Sequence, residues 1–179
     1  MNKNTTFAFR LLTLALVLTA FSFTVAAQKK TTTKPTAKKP AATASNANAA
    51  EIKSGAEKVS IQLKNVSKFI YILGGVAKGI EDIDKEARTG KVSRNVLDQN
   101  AQFKQSVIRS IQNLRAGLVA LEIEFRTKNG LKPYMIQIQG VSDLAGTAED
   151  QAANGMFTES GKTLLVAIEK LADTLAALP

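Results

Sequence analysis

The feature that most constrains the fold is a long stretch without proline, from Glu51 to Lys132. Apolar residues recur through it every three or four positions, the spacing that places them on one side of an α-helix. In its first part the repeat is a nearly regular heptad, typical of helices that pack against other helices. The residues of this heptad are Val59, Leu63, Val66, Ile70, Leu73, Ala77 and Ile80. The pattern predicts a long amphipathic helix.

Short breaks divide the rest of the chain into further helices. Thr89-Gly90 and Asn129-Gly130 are typical helix ends, so the second helix is expected between them. Pro133 suits the first turn of a third helix, which ends at Asn154-Gly155 and is followed by a fourth. Loops this short join antiparallel neighbours. We therefore predict that residues 51–179 form an all-α domain, an antiparallel up-down-up-down four-helix bundle.

A β-hairpin competes with helices around Asn129-Gly130, which is also a common hairpin turn. Polar and apolar residues alternate in Leu121–Phe125 and again in Ile136–Gln139, as they do in half-buried strands. Against the hairpin, Glu122 and Arg126 form an acid-to-base pair at the i,i+4 spacing that supports helices. We expect helices on both sides of the turn.

Residues 1–27 have the pattern of a secretory signal peptide. Lys3 and Arg10 precede an apolar run from Leu11 to Phe23, and Val25-Ala26-Ala27 supplies small residues for cleavage. An uncleaved membrane anchor is the alternative, but the stretch from Leu11 to Ala27 has 17 residues, the short limit for crossing a bilayer. We expect export to a bacterial periplasm or to the extracellular space.

Residues 28–50 are predicted to be a disordered linker rich in Lys, Thr, Ala and Pro. They contain no acidic residue and no apolar side chain larger than Ala, so burial cannot offset the entropy lost on ordering. We expect this basic tail to tether the protein to an anionic envelope polymer or a membrane surface; nucleic acid is not an expected partner of an exported chain. A solvated spacer is the alternative. The candidate surface-binding residues are Lys29, Lys30, Lys34, Lys38 and Lys39.

The residue types that are missing exclude several functions. The 179 residues include no Cys, no His and no Trp. Disulfides, Cys or His metal sites, an axial haem His and nucleophiles paired with His are therefore excluded. The overall plan resembles that of periplasmic four-helix cytochromes, but without the His that holds haem no cofactor is implied. We expect no cofactor, no metal site and no enzymatic activity.

Three glycines interrupt the first predicted helix at Gly74, Gly75 and Gly79. Glycine inside a helix costs about 0.5–1 kcal/mol relative to alanine, so the three require an explanation. We predict that they permit close packing against another helix or border a cavity between helices.

An acidic cluster and a polar residue complete the set of unusual positions. Glu81, Asp82, Asp84 and Glu86 lack the spacing of a calcium-binding loop and are expected to form a solvated helix face. Asn100 interrupts the apolar face of the second helix. It is expected either in the seam, where it fixes the helix register, or at the seam's edge.

Charge is distributed unevenly between the two halves of the predicted bundle. Residues 51–132 contain 15 Lys and Arg against 9 Asp and Glu, whereas residues 133–179 contain 2 against 6.

The sequence predicts a non-enzymatic interaction or structural module of the cell envelope, which recognises an unknown protein partner or self-associates. The alternative is a small-molecule or lipid carrier with a cavity between helices.

Overall fold

The computed structural model describes residues 40–179, with side chains from Ser45 onward. The predicted signal peptide and all five lysines of the basic tail lie outside the described residues. Within the described part every regular element is helical, and no strand is present. No helix of this part is both long and apolar enough to cross a membrane.

Four long helices and one single-turn helix make up the described chain. The helices are α1 (Pro40–Ala87), α2 (Arg94–Thr127), α3 (Met135–Ile138), α4 (Val141–Ala153) and α5 (Phe157–Ala177), with a 3-10 turn at Lys132–Tyr134 before α3. The predicted breaks at residues 89–90, 129–130 and 154–155 all fall between helices. The prediction of a helical bundle is confirmed.

Helix α1 begins earlier than the sequence analysis predicts. Residues 40–50, the last part of the predicted linker, are helical. Their sequence favours this, because it contains six alanines and Pro40 occupies the first helical position, where proline is tolerated. A Cβ added to Gly130 would lie 2.6 Å from the backbone oxygen of Asn48, so α1 meets the α2–α3 connection at that point. The residues before Asn48 extend about 12 Å beyond it.

The third predicted helix is interrupted at Gly140. This residue has φ of 86°, a left-handed conformation that ends α3 and precedes α4. The prediction of one continuous helix from Pro133 to Asn154 is therefore wrong, because a single glycine redirects the chain after Ile138.

The β-hairpin alternative is also wrong. Leu121–Phe125 belongs to α2, and Leu121 and Phe125 are buried in the core. Ile136–Gln139 includes most of the single turn of α3, in which Ile136 is exposed and Ile138 is buried. The alternation does not match burial in either segment, since Glu122 is buried while Ile123 is exposed.

Side-chain contacts show that successive long helices run antiparallel. Gly130 N donates to Glu51 at 2.7 Å at one end of the first helix pair, and Lys104 Nζ donates to Asp84 at 2.9 Å at the other end. Ser160 Oγ on α5 donates to the backbone oxygen of Ala148 on α4 at 2.7 Å. The heptad residues of α1 face inward, and the core also contains the fully buried rings of Phe125 and Phe157.

Two helices of the second half receive their N-terminal caps from the first half. Gly140 and Met156, which precede α4 and α5, make no side-chain cap hydrogen bond. Instead Glu122 of α2 accepts hydrogen bonds from Ser142 N at 3.2 Å and Ser142 Oγ at 2.8 Å. A carboxylate at this place satisfies an orphan N–H and interacts favourably with the helix dipole.

The same arrangement recurs on α5. Glu81 of α1 accepts hydrogen bonds from Thr158 N at 2.7 Å and from Thr158 Oγ1 at 3.0 Å. Each glutamate therefore binds both the backbone and the hydroxyl of the second helical residue. The two contacts fix where α4 and α5 begin relative to α1 and α2.

A charged cluster links the first half of α1 to the C-terminal end of α2. Glu124 forms ion pairs with Lys58 of α1 and, at 2.7 Å, with Lys128, the residue directly after α2. Partial burial by itself raises the pKa of Glu124, but the hydrogen bonds and positive charges of the two lysines outweigh it, and the pKa is lowered. The folded state therefore binds a proton at Glu124 less readily than the unfolded chain does.

Replacing Glu122 with glutamine tests the remote cap of α4. Glu122 is only 8% exposed, and Glu122→Gln removes the negative charge and one of the two acceptors offered to Ser142. We expect the free energy of unfolding to fall by about 1 kcal/mol, measured by urea denaturation. The exposed Glu86 provides the matched control, Glu86→Gln, which should change stability by less than about 0.5 kcal/mol. Equal effects of the two changes would contradict the cap.

The lowered pKa of Glu124 predicts a loss of stability in acid. Its contribution is fully present above the ordinary glutamate pKa of 4.5 and is lost as the pH falls through the lower pKa of the folded state. Urea unfolding repeated from about pH 6 to about pH 3 should therefore give a shallower decline for Glu124→Gln than for the natural chain. Parallel pH profiles for the two proteins would show that this carboxylate is not linked to folding.

Candidate functional site

The three candidate glycines lie on the outer side of α1. Gly74 and Gly75 are exposed, and Gly79 is half-buried. A Cβ added at any of the three would meet no heavy atom within 4 Å. No helix of the described chain is therefore closely packed on them, because the neighbouring positions Leu73 and Ala77 are the ones directed into the core.

The same outer side of α1 carries a row of lysines, which we call the basic stripe. Its residues follow each other at three- or four-residue spacing, so they share one side of the helix, and all of them are exposed. They are Lys53, Glu57, Ile61, Lys64, Lys68, Tyr71, Gly75 and Lys78. The basic stripe thus combines four positive charges with one negative charge and two large exposed side chains.

The positive charge of the stripe is largely unneutralised. No acidic residue occurs in α1 between Glu57 and Glu81. Among the described residues, ion pairing within the stripe is confined to Lys78, whose Nζ lies 3.6 Å from Asp82. Lys58 lies in the same part of α1 but contacts α2 and binds Glu124. The stripe is therefore a solvated, positively charged surface.

Tyr71 is the most unusual member of the stripe. Its side chain is 86% exposed, and Ile61 on the same side is 53% exposed. The two positions one turn after Tyr71 are Gly74 and Gly75, which have no side chains to cover the ring. A large aromatic residue is thereby left uncovered on its C-terminal side, between Lys68 and Lys78.

Exposed acidic residues concentrate in the second half of the chain. Glu159, Glu169 and Asp173 of α5 and Asp143 and Asp150 of α4 are exposed. Lys162 neutralises Glu159 at 2.7 Å. Across the two halves, Glu149 accepts hydrogen bonds from Gln112 and Arg115 of α2, and these lower its pKa. The bundle therefore presents a basic surface on α1 and a mainly acidic one on α4 and α5.

The acidic cluster at the end of α1 is used in structural contacts. Glu81 caps α5, Asp82 pairs with Lys78, and Asp84 binds Asn100 and Lys104. Within the described residues no group of three or more acidic side chains is placed to hold a metal ion. The solvated helix face expected here is thus partly wrong, because two of its carboxylates are bound to neighbouring helices.

A groove of about 330 Å³ lies next to Asp84. It is bordered by Lys104 and Ile108 of α2 and by residues 152–155 at the end of α4.

Asn100 is only 2% exposed. Its Nδ2 donates to Asp84 Oδ1 at 2.8 Å and to the backbone oxygen of Ile80 at 3.3 Å. Its Oδ1 has no hydrogen-bond partner among the described residues. Asn100 is thus buried in the α1–α2 seam, the first of its two expected placements, where it fixes the register.

Alanine at Gly74 tests whether these glycines serve the fold. The added methyl meets open space, and alanine favours the helix, so Gly74→Ala should raise the free energy of unfolding by about 0.5–1 kcal/mol. Gly130→Ala is the contrasting control, since its Cβ would lie 2.6 Å from the backbone oxygen of Asn48 and should destabilise the protein. Thermal unfolding of both variants measures the difference. Destabilisation by Gly74→Ala would mean that the fold itself needs a glycine there.

No protein-family model, curated protein or solved structure matches this chain. The functional interpretation of the basic stripe therefore depends on its own chemistry.

Proposed function

We propose that the protein is an exported, non-enzymatic interaction or structural module of the cell envelope, held at anionic surfaces by its basic tail. The observation that carries the proposal is the composition of residues 28–39, which contain five lysines and no acidic residue. These residues directly precede α1. The expected export through a signal peptide at residues 1–27 is part of the same proposal.

Electrostatic attraction of this kind has a known size and range. A lysine near an anionic membrane contributes about 1 kcal/mol, and the attraction falls off within a Debye length of about 8–10 Å at moderate salt. Five lysines are therefore enough for reversible retention that added salt weakens.

The bundle itself is proposed to contact a protein partner or a second copy. Leu165 and Val166 of α5 support this, because these neighbouring apolar side chains are 47% and 48% exposed. A pair of exposed apolar residues is a small patch, so the expected interaction is weak and transient.

The alternative function as a small-molecule or lipid carrier has less support. The groove beside Asp84 has a volume within the range of ligand sites, about 300–1,000 Å³. However, it is bordered by the Asp84–Lys104 ion pair and by the chain around Asn154. An apolar ligand gains little from such a surface.

Removing residues 28–39 tests the tether. The chain from Gln28 onward and the same chain starting at Pro40 are sedimented with isolated envelope fractions at low and high salt. We expect the longer chain to bind at low salt and to be released by high salt, with binding reduced at least about tenfold in the shorter chain. A second form, with the five tail lysines replaced by glutamine, separates charge from length. Equal binding by all three proteins would contradict the proposal.

A further inference from the structure

We propose that the basic stripe of α1 is a second, folded contact, which lays the bundle lengthwise on an anionic lipid bilayer. This inference rests on the proposed function and specifies it, because it names the surface as a bilayer and assigns part of the binding to the bundle. The partner chemistry is that of phosphate-bearing lipid headgroups above an apolar layer.

The geometry of α1 suits contact with a flat surface. From Lys53 to Lys78 the helix is uninterrupted and free of proline, and it spans about 37 Å. The stripe residues repeat along one side of it, so their charges meet a plane together. Four lysines along one side also act additively on a surface of uniform charge.

A protein partner explains the stripe less well. Lysine is depleted in protein–protein interfaces, whereas half of the stripe positions are lysine. A second copy bound through the same face in a two-fold dimer would place lysine opposite lysine. The stripe also lacks a continuous apolar patch to serve as the core of such an interface.

An anionic polymer in water explains the lysines but leaves Tyr71 and Ile61 without a role. An aromatic ring with a polar tip is favourable at the headgroup level of a bilayer, and an aliphatic side chain can enter the same region. Gly74 and Gly75 leave the ring of Tyr71 uncovered on one side. Both large side chains lie among the lysines of the stripe, so one approach to a bilayer brings all of them into contact.

The charge of the other helices favours the same orientation. The exposed acidic residues of the second half are repelled by an anionic surface. Contact through α1 brings the basic stripe closest to the lipid and leaves the acidic surface of α4 and α5 free for another partner.

Vesicle sedimentation separates the stripe from the tail. The chain from Gln28 onward is mixed with vesicles of phosphatidylglycerol and phosphatidylcholine, or of phosphatidylcholine alone. The stripe variant combines Lys53→Gln, Lys64→Gln and Lys68→Gln. The matched control removes the same charge at three exposed basic residues outside α1, with Lys91→Gln, Arg109→Gln and Lys132→Gln. All six positions are exposed, and circular dichroism checks that both variants fold.

We expect the stripe variant to bind anionic vesicles at least about tenfold more weakly than the control variant. Equal binding by the two would overturn the inference, while loss of binding on deleting residues 28–39 would still support the proposed tether. Conversely, if binding depends on the stripe and is equally strong without residues 28–39, the result supports the inference and contradicts the proposed tether. Loss of self-association in the stripe variant, with vesicle binding unchanged, would assign the stripe to copies of this chain.

A single tryptophan reports whether the stripe enters the lipid. The chain has no Trp, so Tyr71→Trp introduces the only one. Its fluorescence should shift to the blue and be quenched by brominated lipid when anionic vesicles are added. Ile136→Trp, at a position 76% exposed outside the stripe, should not respond. A response of both reporters, or of neither, would overturn a contact through α1.

Discussion

The arrangement of this bundle depends on backbone N–H groups that the second half cannot satisfy by itself. Helices α4 and α5 begin after Gly140 and Met156, neither of which supplies a side-chain cap. Glu122 and Glu81 provide those caps from the first helix pair. An apolar interface tolerates small sliding movements, whereas a carboxylate that binds both an N–H and a hydroxyl does so at one position only. Packing therefore brings the helices together, and these two glutamates determine their alignment.

These caps also show what sequence analysis could and could not predict. The heptad from Val59 to Ile80 and the breaks at residues 90, 130 and 155 are local signals, and the structure confirms them. A cap that links Glu81 to Thr158 connects residues 77 positions apart, and no local pattern marks it. Within the acidic cluster, Glu81 and the exposed Glu86 look alike in the sequence. Only the packing of α5 against α1 gives them different roles.

The two errors in helix boundaries have a similar origin. Gly140 lies in a segment that supports helix on both sides, and its left-handed conformation depends on how α3 and α4 pack against α2 and α5. At the start of α1, residues 40–50 lack large apolar side chains, which suggested a linker. Alanine needs no burial to favour a helix, however, and the packed remainder of α1 supplies the nucleus that a short isolated helix lacks.

Lysine shows most clearly how position along a helix decides the surroundings of a side chain in this protein. Lys58 and Lys64 are six residues apart in the same helix, yet Lys58 binds Glu124 and Lys64 remains exposed in the stripe. In the sequence, the expected surface-binding residues are the lysines of the predicted linker, residues 28–50. The structure adds a second positive surface, because α1 directs its heptad residues into the core and its other lysines outward. Gly74 and Gly75 fit this arrangement, since each costs helix stability and fills no space in the core. Their effect is instead to leave Tyr71 uncovered, so the structural consequence of these two glycines lies at the surface of the bundle.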